Sequence, residues 1–393
     1  MTAIALATIV TVALALIFDF TNGFHDAANA TSTVIATKSL KPKTAVIVSA
    51  VFNFLPAFII GTAVANTIAK TVDMDALPEV ASNAIPMGVR VTLAALLGAI
   101  LWNLITWALG LPSSSSHALI GGLIGAGISA GGVDAISSST VQKTAIAIVA
   151  SPLIALVVAL IASFLIRGIQ RVFHLDEDHE FFRWGQVVSS AFLSWGHGSN
   201  DAQKTMGVIA ATLYSAGYLH ADDASSLNPS TWVIFSAQAA ISIGTFYGGW
   251  RIIETMGLKI THITRASGMA ANLGAITSIN GATHLGVPIS TTHAAASSVI
   301  GSGLGNSHRV HLNTIGRMVM AWIITLPSAG IVGYITFKAT VLPDKIAFAV
   351  TIMLIIALLS YLIRLMFTTT TAEDVERALP QDVEALINLE DKQ

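Results

Sequence analysis

Hydrophobic positions gather into apolar runs near residues 3–21, 44–69, 87–109, 145–166, 231–250, 260–280, 315–337 and 343–366. Each approaches the roughly 20 residues that a helix needs to cross a bilayer, so the pattern predicts an all-α polytopic membrane protein. Shorter segments rich in Gly, Ser and Thr lie between some of these runs, at 22–37, 112–130, 196–213 and 288–304. They are too short or too interrupted for plain spans. They predict broken helices or re-entrant hairpins, which a membrane tolerates only where protein or a wet cavity covers the loose backbone.

These segments recur in pairs. Asn22-Gly-Phe-His-Asp-Ala-Ala-Asn29 lies over His197-Gly-Ser-Asn-Asp-Ala-Gln-Lys204 at an offset of 175, matching Gly23 with Gly198 and Asp26 with Asp201. Gly110-Leu-Pro-Ser-Ser-Ser-Ser-His117 lies over Gly286-Val-Pro-Ile-Ser-Thr-Thr-His293 at an offset of 176. Two motifs in the same order at nearly the same spacing indicate a duplication. Basic residues then orient the halves. Lys38, Lys41 and Lys43, the loop with Arg167, Arg171 and Arg183, and the surroundings of Arg251, Lys259, Arg265, Arg309 and Arg317 go to the cytoplasm. Loops with Asp73, Asp75 and Glu79, or with Asp222 and Asp223, go outside. On this assignment the run from 44 travels outward and its partner from 231 inward, so the repeats have opposite topology. Inverted repeats with discontinuous helices meeting near the midplane are a secondary-transporter pattern.

The expected organisation is a first membrane repeat at 1–170, a cytoplasmic inter-repeat loop at 171–183, a second repeat at 184–338, a final transmembrane helix at 339–366 and an acidic cytoplasmic tail at 367–393. Thr2 to Phe18 lacks a basic n-region and runs on into apolar sequence, so it reads as the first membrane helix rather than a cleaved leader. Of 393 residues, 53% are apolar and 11% charged, with a mean hydropathy of +0.72. That leaves too little polar surface to enclose a water-soluble globule. Cysteine is absent, which removes disulfides, thiolate metal sites and cysteine nucleophiles, and a net charge of −2 argues against nucleic-acid binding.

Pro112 and Pro288 each precede hydroxyls and then a helix-compatible stretch. Ser or Thr there can cap a helix and leave free amides and the positive dipole end at the break. Such an end suits a tetrahedral oxyanion. The competing reading is that the hydroxyls bond helix carbonyls and permit close packing. Asp26 and Asp201 are costly inside a span, on the order of 2.5–3.5 kcal/mol each on insertion scales, which marks them as functional. A carboxylate beside an anion needs a cation or a proton between them. His25, Asn22, Asn29, Asn200 and Gln203 supply nitrogen and oxygen around the two acids. Lys204 is either a counter-charge to Asp201 or a direct anion contact. Asp19 is a further candidate, or an acid at the membrane rim paired with a basic loop. His117 and His293 are ligand-facing or interior histidines that bond helix carbonyls.

At these residues the chain resembles the inorganic phosphate transporter (PiT) family. The family's duplicated Gly-x-Asn-Asp core stands here as Gly23-Phe-His-Asp26 and Gly198-Ser-Asn-Asp201, and its paired Pro-x-Ser elements run from Pro112 to His117 and from Pro288 to His293. The resemblance spans about residues 10 to 366. It implies an inverted-repeat carrier in the cytoplasmic membrane, homodimeric among lipids, that takes up inorganic phosphate with a cation gradient and needs no cofactor. It points to Ser113, Ser114, Ser115, Ser116, Ser290, Thr291, Thr292, Gln203 and Lys204 around phosphate. Asp26, Asn29, Asp201, Asn200, His25 and Asn22 would serve cation or proton coupling, with Asp26 and Asp201 holding a co-bound metal. His25 and Lys204 depart from the sodium-driven pattern, which has asparagine at both places. They resemble the bacterial low-affinity branch, which implies protons rather than sodium and phosphate carried alone or as a neutral divalent-metal complex. A sulfate permease of the same fold, a sodium symporter, an anion channel and an intramembrane enzyme remain as alternatives.

Overall fold

Where the apolar runs meet Ser, Thr, Pro or Gly, helices begin and end. The computed structural model describes residues 2–59, 61–81, 84–220, 227–368 and 370–379. Their helices are α1 (Ala3–Ala36), α2 (Pro42–Phe54), α3 (Ala63–Ala69), α4 (Met87–Ala108), α5 (Ser115–Gly131), α6 (Ser138–Phe173) and α7 (Glu180–Ser215). These continue as α8 (Thr231–Tyr247), α9 (Trp250–Leu258), α10 (Arg265–His284), α11 (Thr291–Gly305), α12 (Leu312–Thr340), α13 (Asp344–Thr368) and α14 (Ala372–Ala378). Thr2 caps α1, Ser137 caps α6, and Thr264 forms a reciprocal capping box with Ser267 at α10. The two acids assigned to an outer loop, Asp222 and Asp223, and the tail from 380 onward lie outside the described residues.

Helices α1–α6 and α7–α12 follow one another in the same order, and the two repeats have inverted topology. Their packing crosses over: α5 runs against α12, α11 against α6, α8 against α1 and α2 against α7. Pro152 and Pro327 interrupt α6 and α12 at corresponding places. Ala3–Ala36, Met87–Ala108, Ser138–Phe173, Leu312–Thr340 and Lys345–Phe367 are long and apolar enough to cross a bilayer.

Two of the predicted breaks are absent. Residues 22–36 and 196–213 are uninterrupted parts of α1 and α7, helices of 34 and 36 residues, and Thr37 caps α1. Neither helix contains proline, and a mid-helix glycine costs only about 1 kcal/mol. Their low hydropathy reflects enclosure by other helices rather than a break. The fracture lies instead in the run at 44–69, where α2 passes through a 3-10 turn at Leu55–Phe58 containing Pro56. The pieces Pro42–Phe58 and Ala63–Ala69 meet at 85°. Its counterpart parts at Gly248, whose φ of +73° lies in the left-handed region, between α8 and α9.

The duplicated glycines are explained by this crossed packing. A Cβ on Gly23 of α1 would fall on the Ile241 carbonyl of α8, and one on Gly198 of α7 would fall on the Asn53 carbonyl of α2. Gly198→Ala is therefore expected to destabilise the protein by about 1–3 kcal/mol through overpacking. Thermal unfolding in detergent checks this, and an unshifted midpoint would refute the close approach.

At the end away from the membrane core, Glu180 binds Arg183 and Arg265, each at 3.1 Å, tying the start of α7 to the start of α10. The Arg183 hydrogen bond holds the Glu180 carboxyl below the usual carboxylate range.

Candidate functional site

Gly110 and Gly286, each at a φ of +66°, turn the chain out of α4 and α10. Pro112 and Pro288 follow, and α5 and α11 then begin at corresponding residues. Ser114 accepts the His117 amide and Ser290 the His293 amide, both at 3.1 Å. These two hydroxyls are the helix caps. By helix geometry the first-turn amides of Ser115, Ser116, Thr291 and Thr292 have no carbonyl within their own helix.

The two proline-led stretches meet. Ser116 Oγ donates to the Ile289 carbonyl at 2.8 Å, across the repeats. The long helices α1 and α7 then serve both hairpins with the same symmetry. Within each repeat a hairpin hydroxyl reaches the aspartate: Ser115 Oγ lies 3.1 Å from Asp26 Oδ2 and 2.6 Å from Asn22 Oδ1, and Thr291 donates to Asp201 Oδ2 at 3.2 Å. Between repeats a long-helix side chain donates to the opposite hairpin: Asn29 Nδ2 to Thr291 and Thr292 at 3.3 and 3.2 Å, Lys204 Nζ to Ser116 at 2.5 Å. Asn29 and Lys204 are counterparts in the repeat, as are Ser116 and Thr292.

Each aspartate also has a histidine from its own helix. His25 Nδ1 lies 2.6 Å from Asp26 Oδ1, and His197 Nε2 lies 3.5 Å from Asp201 Oδ2. Asp201 receives in addition Lys204 Nζ at 2.6 Å and Asn22 Nδ2 at 3.3 Å. Lys204 donates a third bond to the Ile289 carbonyl at 2.8 Å. Asp26, Asp201 and Lys204 are at most 2% exposed, so these charges act in a water-excluded interior. Asp26, His197 and Asp201 offer one ligand atom each, all within 4.8 Å of one another. Two carboxylates and an imidazole suit a divalent cation. The ammonium now sits on Asp201.

The structure sorts the predicted residues. Ser115, Ser116, Thr291, Thr292, Asn22, Asn29, His25, Asp26, Asp201 and Lys204 form one cluster. Ser113 joins its edge, donating to Thr106 at 2.7 Å with His25 Nε2 at 3.4 Å. Gln203 is placed elsewhere. Its Oε1 accepts the Val64 and Ala65 amides at the start of α3, and its Nε2 donates to Ser199. Asn200 bonds Thr283, the Val287 carbonyl and the Ile289 amide, and so fixes the loop between α10 and α11. His117 and His293 pack their rings edge to face at 4.5 Å behind the helix starts, and His293 stacks on Trp322 at 4.0 Å. Neither Nε2 has a hydrogen-bond partner, so neither histidine bonds a carbonyl through that atom. Asp19 is fully enclosed rather than at a membrane rim. Sequence reasoning missed His197. The signal was available, because His197 is the repeat counterpart of Asn22.

A family model described as the phosphate transporter family matches residues 22–178 and again 169–333. A probable low-affinity inorganic phosphate transporter of Rhizobium meliloti is 43% identical over 332 residues, covering 84% of this chain and 95% of that protein. A Bacillus subtilis protein of the same description is 44% identical over 333 residues, covering 84% and 96%. Among solved structures, one described as the sodium-dependent phosphate transporter superposes with a TM-score of 0.71 at 21% identity, covering 84% of this chain and 98% of that one. That likeness shows a shared fold. Two family matches, one over each repeat, together with the crossed hairpins they contain, establish that the chain belongs to the phosphate transporter family.

Proposed function

We propose that this multi-pass membrane protein takes up inorganic phosphate as a secondary carrier driven by protons rather than sodium. The observation that carries the reading is Lys204, whose ammonium bridges the Asp201 carboxylate and the Ser116 hydroxyl of the opposite hairpin. An ammonium on Asp201 fills the position a sodium ion would take. It also links an acid that can exchange protons to the hydroxyls that face an anion. Phosphate is held between the first turns of α5 and α11 by Ser115, Ser116, Thr291 and Thr292, with their amides and dipole ends. Ser113 and Lys204 complete the contacts. Asp26 and Asp201 hold the coupling cation, positioned by His25, Asn22 and Asn29. They also accept a hydrogen bond from a phosphate that still carries a proton, which sulfate at neutral pH does not offer. Ser114, Ser290, Gln203 and Asn200 shape the site from behind.

A phosphate has one ammonium to face here, so a divalent metal arriving with it, held by Asp26, His197 and Asp201, makes the cargo neutral. The kinship with proteins described as low-affinity transporters supports this branch.

Reconstitution into vesicles tests the reading. Uptake of labelled phosphate is expected to follow an imposed proton gradient, to be inhibited by arsenate but not by sulfate, and to be unchanged when sodium is replaced by choline. Uptake that required sodium and ignored the proton gradient would overturn it.

A further inference from the structure

One carboxylate beside the site lacks the partner that its neighbours have. His25 faces Asp26 and Lys204 faces Asp201, each at 2.6 Å. Asp19, on the same face of α1 as Asn22 and Asp26 by helical spacing, is 0% exposed, and neither of its carboxylate oxygens accepts a hydrogen bond. Thr205 and Asn22 flank it with side-chain groups able to donate to it. Among the described residues no cation pairs with Asp19. Neutral donors alone do not compensate a fully buried carboxylate, and without a counter-charge it neutralises instead of remaining ionised.

The charged groups that act on Asp19 are Asp201 and Lys204, both from α7. Of the other helices against this part of α1, α2 carries only Lys43, which is exposed, α4 only Arg90, which binds the Thr340 carbonyl, and α8 only Tyr247, half exposed against Phe20. Helices α9, α10 and α11 reach α1 at Ser32, Thr33 and Asn29 respectively. Among the described residues Lys204 is thus the one cation that acts on Asp19, and it is already held by Asp201.

Resting on the proton-coupled reading above, we propose that Asp19 joins Asp26 and Asp201 in the coupling path as the acid that releases the proton. In the state described here Asp19 holds the proton. When the site opens, the Asp19 O–H bond breaks, its proton passes to water, and the carboxylate is left to accept the next one. The charge at Asp19 changes by the one proton that leaves.

Asp19→Asn mimics the protonated acid and tests this. In proteoliposomes an imposed difference of one pH unit is expected to concentrate labelled phosphate about tenfold through the unsubstituted protein for each proton carried. Through Asp19→Asn the concentrations inside and outside should only equalise, while exchange of labelled for unlabelled phosphate without a gradient is retained. Asp19→Thr gives the same comparison should the amide variant fail to fold. A folded variant that still concentrates phosphate overturns the proposal. So does one that neither concentrates nor exchanges it, because Asp19 would then shape the site instead of loading it. An unsubstituted protein indifferent to the pH gradient would sink the proton-coupled reading itself, a result told apart from the other two before any variant is made.

Discussion

Asp201→Asn is expected to abolish phosphate uptake and to lower thermal stability in detergent far more than Asp26→Asn, although the two residues are repeat counterparts. The difference lies in their partners. Without the Asp201 carboxylate, the Lys204 ammonium keeps only neutral acceptors within bonding distance, among them the Ser116 hydroxyl and the Ile289 carbonyl. Breaking a buried pair in this way costs about 3–5 kcal/mol. Asp26→Asn leaves an imidazole, not an ammonium, as the group that loses its partner. What is lost there is a charge-assisted hydrogen bond worth about 1.5–3 kcal/mol. Adding Lys204→Met to Asp201→Asn should restore stability without restoring transport. Intrinsic fluorescence during heating, paired with vesicle uptake, reads both quantities. Equal losses for the two single variants would show that Lys204 is not charge-paired with Asp201.

The same asymmetry explains how much of the site could be read from the chain. The offsets of 175 and 176 brought Asp26, Asp201, the two hairpins and Lys204 onto one page because duplication preserves residue identity at fixed spacing. What it could not convey is which side chains turn inward. Gln203 lies next to Lys204 in sequence, yet a step of one residue moves it about 100° around α7 to the start of α3. The breaks were misplaced for a related reason. Hydropathy measures preference for lipid, and α7 is enclosed by α1, α2, α3 and α10. A helix surrounded by protein is free to be polar, so the low hydropathy of 196–213 resembled a fracture that was not there. The run at 44–69 shows the converse, an apolar stretch broken at Pro56 without any dip in hydropathy to announce it. His197 was missed because its chemistry differs from that of its counterpart Asn22, and a repeat read for identity passes over positions that have diverged.

Ser115→Ala and Thr291→Val, the matching hydroxyls of the two hairpins, are expected to weaken phosphate binding by similar factors. Each removes a donor that in the present state satisfies an aspartate, Asp26 or Asp201. A hydrogen bond to a charged group is worth about 1.5–3 kcal/mol, so each variant should raise the half-saturating phosphate concentration by roughly 10- to 100-fold if the hydroxyl turns to the anion during transport. The stability loss should be smaller, because the Asn22 amide and the Lys204 ammonium still reach Asp201 and His25 still reaches Asp26. Saturation curves for uptake alongside unfolding midpoints separate the two effects. If each variant lost only stability and bound phosphate as before, the hydroxyls would be packing groups and the anion would have to be held elsewhere. The double variant is the sharper measurement. When both hairpins grip one phosphate the loss in the double variant should depart from the sum of the single ones, since two groups contacting a shared ligand are energetically coupled. Strict additivity would mean that the two repeats do not close on a common ion.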